Sequence, residues 1–110
     1  MGLTKTEEFT KAQNDLAVFT KALGHPARIA IIQFLVKRKS CVCGDIVDEL
    51  PLSQSTVSQH LKELKNAGLI KGDIDGPSVC YCIDAKAWTK AKKAVGDLFE
   101  SFKGSDNNCC

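Results

Sequence analysis

Helix-breaking residues cut this 110-residue chain into short pieces, and that punctuation limits what it can fold into. The breakers are Gly24 with Pro26, the polar run Lys37-Arg38-Lys39-Ser40, Pro51, Asn66-Ala67-Gly68 and Asp75-Gly76-Pro77-Ser78. Before the first of them, Phe9, Ala12, Leu16, Phe19 and Leu23 step by three and four, which predicts a helix over about 5–23 with one apolar face. Pro26 suits the first turn of a second helix, in which Ile29, Ile32, Leu35 and Val36 form the expected buried stripe. A short helix follows from about Gly44 to Leu50, with Ile46, Val47 and Leu50 inward, until Pro51 stops it.

Ser53 stands as an N-cap for a fourth helix, where Val57, Leu61 and Leu64 recur at i, i+4 and i+7 and Gly68 closes the end. Leu69-Ile70 opens a strand, and Val79, Tyr81 and Ile83 alternate as its returning partner across the Asp75-Gly76-Pro77-Ser78 turn. A last helix from about Ala85 to Phe102 aligns Trp88, Ala91, Val95, Leu98, Phe99 and Phe102. The order is that of a mainly α winged helix-turn-helix: five helices and a two-stranded β-hairpin wing. Residues 1–104 are expected to form one DNA-binding and dimerisation domain, and 105–110 a flexible tail ending in two cysteines. A chain this small has little core to share among so many elements. The stripes Phe9/Leu16/Phe19 and Trp88/Val95/Leu98/Phe102 are therefore expected to meet their copies in a homodimer.

Composition narrows the function. The 44% hydrophobic and 25% charged fractions exclude a wholly disordered or collagen-like chain. A formal net charge of +2 is too mild for a polybasic surface, so any nucleic-acid site has to come from local clustering. Lys5, Glu7, Glu8, Lys11 and Asp15 interrupt the first twenty residues, leaving no signal peptide or membrane anchor there, and a cytoplasmic protein is expected. Ser53, Gln54, Ser55, Thr56, Ser58, Gln59, His60 and Lys62 supply that clustering, with hydroxyls and amides on one side of a helix whose other side is apolar. Such groups bond phosphates and base edges in a major groove, and the positive end of the helix dipole adds to them. Lys65 adds backbone attraction.

The run "LSQSTVSQHLKELKNAGLI" from Leu52 to Ile70, together with "ALGHPARIAIIQFL" from Ala22 to Leu35, resembles the ArsR/SmtB family of metal- and metalloid-responsive repressors. The resemblance covers nearly the whole chain. It implies a homodimer on a two-fold symmetric operator, one recognition helix per half-site, and release from DNA when an effector binds. The hairpin departs from the family's usual look: its tip carries no cation, and Lys71 is its one basic residue. His60 reads as a packing or phosphate-bonding residue rather than a metal ligand.

Six cysteines fall into three close pairs, Cys41/Cys43, Cys80/Cys82 and Cys109/Cys110. In a reducing compartment they read as ligands or sensors before disulfides. Residues two apart on a helix diverge by about 200°, so Cys41 and Cys43 can grip one ion only from extended or distorted chain. Lys37, Arg38 and Lys39 favour their thiolates. Soft sulfur selects thiophilic ions, with As(III) or Sb(III) as expected inducers and Cd(II) or Pb(II) as alternatives. Cys41-Val42-Cys43 resembles the first two ligands of the C-x-C-x-x-C found in arsenic-sensing members, but Ile46 stands at the third place. A third sulfur is expected from Cys109 or Cys110. On a strand Cys80 and Cys82 share a face, which suits either small gap-filling residues or a ligand pair. The final-helix histidines of zinc-sensing members are absent between Ala85 and Phe102. Two other readings stand beside this one: a repressor switched by thiol oxidation or persulfide, cross-linking different cysteine pairs, and a metal-binding protein that does not touch DNA. Enzyme chemistry has least support, since no histidine neighbours a cysteine in sequence, no glycine-rich phosphate loop is present and no carboxylate pair stands out.

Overall fold

The computed structural model describes residues 8–38, 42–43, 51–73 and 80–104. Helices α1 (Lys11–Ala22) and α2 (Pro26–Arg38) come first, then the two-residue strand β1 (Val42–Cys43) and helix α3 (Gln54–Asn66). Strands β2 (Ile70–Asp73) and β3 (Cys80–Ile83) and helix α4 (Ala85–Glu100) complete the order. Among the described residues there are thus four helices; the fifth, expected over Gly44 to Leu50, lies outside them, as do the hairpin tip and the Cys109-Cys110 tail.

Helix starts follow local chemistry. At α1 the Thr10 hydroxyl accepts from the Gln13 amide while the Gln13 side chain accepts from the Thr10 N–H, both at 3.0 Å. This capping box sets the start at Lys11 and leaves Phe9, expected inside the helix, in a bend before it. Pro26 begins α2, as its fixed φ and missing donor allow. Asp84 caps α4 by accepting from the Ala87 N–H at 3.1 Å. The end of α3 is a Schellman turn: Gly68 adopts φ +86°, its N–H donates to the Lys65 carbonyl, and Leu69 N–H donates to the Leu64 carbonyl. Leu64 and Leu69, which bracket that turn, are both fully buried.

The core gathers Phe19 and Ala22 of α1, Ile31, Ile32 and Leu35 of α2, Val57, Leu61 and Leu64 of α3, and Ala91 of α4 around Tyr81. The α3 stripe is the expected one. The α2 stripe is rotated: Ile29 and Val36 are exposed, and Ile31 takes a core place. Ala27, Ile29, Ala30, Ile31, Ile32, Phe34, Leu35 and Val36 make α2 apolar on most sides, so periodicity leaves its phase open and packing against α3 decides it.

The sheet also differs from the expected hairpin. It has three strands in the order β1-β3-β2, all antiparallel. Val42 pairs with Tyr81 and Cys43 with Cys80 on one side of β3, while Ile70 to Asp73 pair with Ile83 to Cys80 on the other. Chain before α3 is therefore stitched to β3, the strand that also pairs with β2. Gly72, at φ +118°, sits opposite Tyr81; a Cβ there would lie 2.2 Å from the Cys80 carbonyl oxygen.

Candidate functional site

Helix α3 is positioned from within and read from without. Val57, Leu61 and Leu64 hold its inner side in the core. At its start the Ser53 hydroxyl accepts from the Thr56 N–H at 3.3 Å and lies 2.9 Å from the Thr56 hydroxyl and 3.2 Å from that of Ser55. Three hydroxyls thus cluster at the positive end of the helix dipole, where phosphate is favoured. Ser53, Ser55, Thr56, Gln59, Lys62 and Lys65 are exposed and Ser58 is half-buried, so most of the expected reading surface faces outward. The Gln59 amide reaches toward Glu63 at 3.5 Å, a contact long enough to be exchanged for a base edge. Of Gln54 the structure describes only its place as the first residue of α3.

His60 is set apart from this surface. It is 8% exposed, and its Nδ1 accepts from the Arg28 Nε–H at 3.1 Å. The same guanidinium donates to the Ala22 carbonyl at 3.4 Å, and the His25 ring lies 4.4 Å from that of His60. Arg28 thereby ties the end of α1 and the start of α2 to α3. Burial, followed by the nearby His25 and Arg28, holds the His60 pKa below its ordinary 6.5. Sequence reasoning missed this clamp. Its signal was a lone arginine in an otherwise apolar stretch, three residues before Ile31.

The thiol positions are brought together in an unexpected way. Val42 and Tyr81, 7% and 1% exposed, form the rung of the β1–β3 ladder that faces the core. Side chains alternate along a strand, so Cys80 and Cys82, on either side of Tyr81, occupy the outer face of β3, where both are half-buried; Cys43 is the backbone partner of Cys80. Of the Cys41-Val42-Cys43 run, Val42 and Cys43 are extended in β1. Cys80, for which gap-filling and ligand roles are both open in the sequence and a disulfide is not expected, is disulfide-bonded, whereas Cys82 keeps its thiol. Cys41, Cys109 and Cys110 lie outside the described residues, and among the described residues no group of three potential metal ligands converges. The donors on this face are sulfur, which suits a thiophilic ion and does not suit magnesium or calcium.

Comparison with known proteins supplies independent ground. Residues 25–71 match the family described as bacterial regulatory protein, arsR family. The chain is 42% identical over 93 residues to an uncharacterised HTH-type transcriptional regulator of Methanocaldococcus jannaschii, covering 84% of this chain and 99% of that one. It is 46% identical over 61 residues to the HTH-type transcriptional repressor SmtB of Mycobacterium tuberculosis, a match spanning 56% of this chain and 44% of that protein. In three dimensions it resembles an ArsR-like transcriptional regulator from Rhodococcus sp. RHA1 with a TM-score of 0.65 at 19% identity, over 84% of this chain and 86% of that one.

Proposed function

Since the chain belongs to the ArsR/SmtB family of helix-turn-helix transcriptional regulators, we propose that it is a homodimeric repressor released from its operator when cysteine thiolates capture trivalent arsenic or antimony. The DNA half rests on one observation: an α3 whose apolar side is locked into the core while Ser53, Ser55 and Thr56 at its start and Gln59 and Lys62 farther along stand exposed. A rigid helix with a polar, cation-bearing outer side fits a major groove. Pairing of two such helices across a two-fold axis is supported by the apolar surface on and beyond α4, where Leu98, Phe99 and Phe102 are 52%, 73% and 75% exposed.

The inducer half assigns capture to Cys41 and Cys43, with a third sulfur from elsewhere in the chain. It is supported by the extended β1, which precedes α3 and pairs with a wing strand. An ion pulling on β1 would act on the reading helix and on the wing together. A bound trivalent metalloid supplies only its affinity for sulfur; the chain supplies the lever. A second reading, release by oxidation, is favoured by the disulfide at Cys80.

Titrating the protein onto its own upstream DNA in a gel shift tests the first half: a saturable, salt-sensitive complex is expected, and its absence would leave a DNA-independent metal binder ahead. Arsenite, antimonite, cadmium, lead, zinc and peroxide added separately to that complex test the second. Release by As(III) and Sb(III) is expected; release by peroxide alone would move the function to the redox reading.

A further inference from the structure

Arg28, His25 and His60 meet beside α3 in a joint that neither base reading nor thiol capture uses. Arg28, near the start of α2, donates from Nε to His60 Nδ1 at 3.1 Å and from Nη1 to the Ala22 and Lys21 carbonyls at 3.4 and 3.5 Å. One guanidinium therefore spans the end of α1 and the middle of α3. His25, in the link between α1 and α2, sets its ring 4.4 Å from that of His60, and its Nδ1 accepts from the Ala27 N–H at 3.0 Å. His25 is exposed and His60 buried.

These bonds fix where the protons are. A guanidinium only donates, so the His60 Nδ1 it reaches must hold a lone pair, and the proton of the neutral ring sits on Nε2. The same holds for His25, whose Nδ1 faces a backbone N–H. Both lone pairs are thus engaged within the chain, which leaves the two rings poor metal ligands. A second proton on His60 can go only to Nδ1. There it turns an acceptor into a donor facing a donor, and sets two positive charges across 3.1 Å. Burial opposes that proton first, then His25 of the link and Arg28 of α2; Glu63, on α3 itself, favours it.

From this joint we infer that Arg28 is a positioning residue that sets α3 for the operator through neutral His60, and that a proton on His60 Nδ1 frees α3 and weakens the DNA complex. The inference rests on α3 as the reading helix and does not involve the cysteines. In the free protein α3 can shift away from Arg28 and relieve the clash; held in a major groove it cannot. The neutral ring therefore belongs to the DNA-bound arrangement, and affinity is lost as pH falls through the titration of His60. A histidine bonding phosphate gives the opposite sign, because a new cation against the DNA backbone tightens binding. The chain has two histidines, and both are in this joint.

Operator affinity of the full chain, measured at pH 7.5, 6.5 and 5.5 at fixed ionic strength, with reductant and without metalloid, tests this. Wild type is expected to bind at least about threefold more weakly at pH 5.5 than at 7.5, with a ceiling of about tenfold per pH unit for each proton taken up. His60→Leu, which lacks the acceptor, should bind more weakly than wild type at pH 7.5 and lose that pH dependence. His60→Asn, whose amide oxygen accepts from Arg28 without titrating, should regain affinity over His60→Leu and stay level with pH. His25→Asn should keep the fall. Wild-type affinity that holds level or rises toward acid, or a fall that persists undiminished in His60→Asn, would overturn the inference. Absence of a saturable complex at pH 7.5 would instead sink the DNA reading of α3. The histidine C2–H proton resonances of wild type, titrated free and on operator DNA, decide the matter without any variant. By linkage the His60 pKa is expected to be lower with DNA bound, and an equal or higher value there would overturn the role of the joint.

Discussion

Single residues carry constraints of two kinds. At Gly72 the backbone has φ +118° and β3 lies close enough that any Cβ would strike the Cys80 carbonyl and the Tyr81 Cα. Gly72→Ala is expected to cost about 3 kcal/mol, read as a lower melting temperature; an unchanged melt would mean that the strands separate at no cost. His60 shows the other kind. Its folded pKa lies below 6.5 because burial and the facing His25 and Arg28 oppose protonation, with Glu63 acting weakly the other way. The unfolded chain then binds the proton more readily, so the contribution is present above pH 6.5 and is lost as pH falls below it. Urea melts between pH 7.5 and 5 should show stability falling toward acid, and His60→Gln should flatten that part of the curve. Neither constraint is legible as such in the sequence. Gly72 is one glycine among eight, and His60 sits in a run of polar residues that suggested a DNA contact.

At the scale of elements, α3 is where sequence and structure agree most closely. The i, i+4, i+7 spacing of Val57, Leu61 and Leu64, the Ser53 cap and the Gly68 turn are all local signals, and each is realised. Ser53 serves both the cap and the outer surface. Ser53→Ala is expected to cost about 1 kcal/mol of stability and to weaken the DNA complex as well, which a melt and a gel shift measure separately. Lys62→Ala, exposed and outside the core, should leave the melt unchanged and lower the slope of log affinity against log salt by about one. The strand β1 was not legible. Val42-Cys43 is too short to carry an alternating pattern, and it becomes a strand only because β3 offers a free edge and Tyr81 an apolar surface for Val42.

For the whole molecule, the exposed Leu98, Phe99 and Phe102 lie where a second copy is proposed to dock. An open groove of about 480 Å³ between α1 and α4, lined by Ala12, Leu16, Phe19, Ala94 and Leu98, continues that surface. Leu98→Glu with Phe99→Glu is expected to leave each chain folded, since both side chains are exposed. It should also convert a dimer to a monomer in sedimentation and abolish tight operator binding. A double variant that still sediments as a dimer would place the interface elsewhere.

What the amino-acid order determined by itself is the set of elements on either side of each break: where α2, α3 and α4 begin, where Gly68 ends α3, that strands lie on both sides of the Asp75-Gly76-Pro77-Ser78 turn, and which side of α3 is apolar; α4 stops at Glu100, two residues short of the expected Phe102. Caps, turns and periodicity act over a few residues, and the chain carries them wherever it lies. Only tertiary structure decided the phase of α2, the clamp of Arg28 on His60 and the pairing of Cys43 with Cys80. Each is a contact between segments far apart in the chain, chosen by which surfaces remain to be buried once the helices have packed.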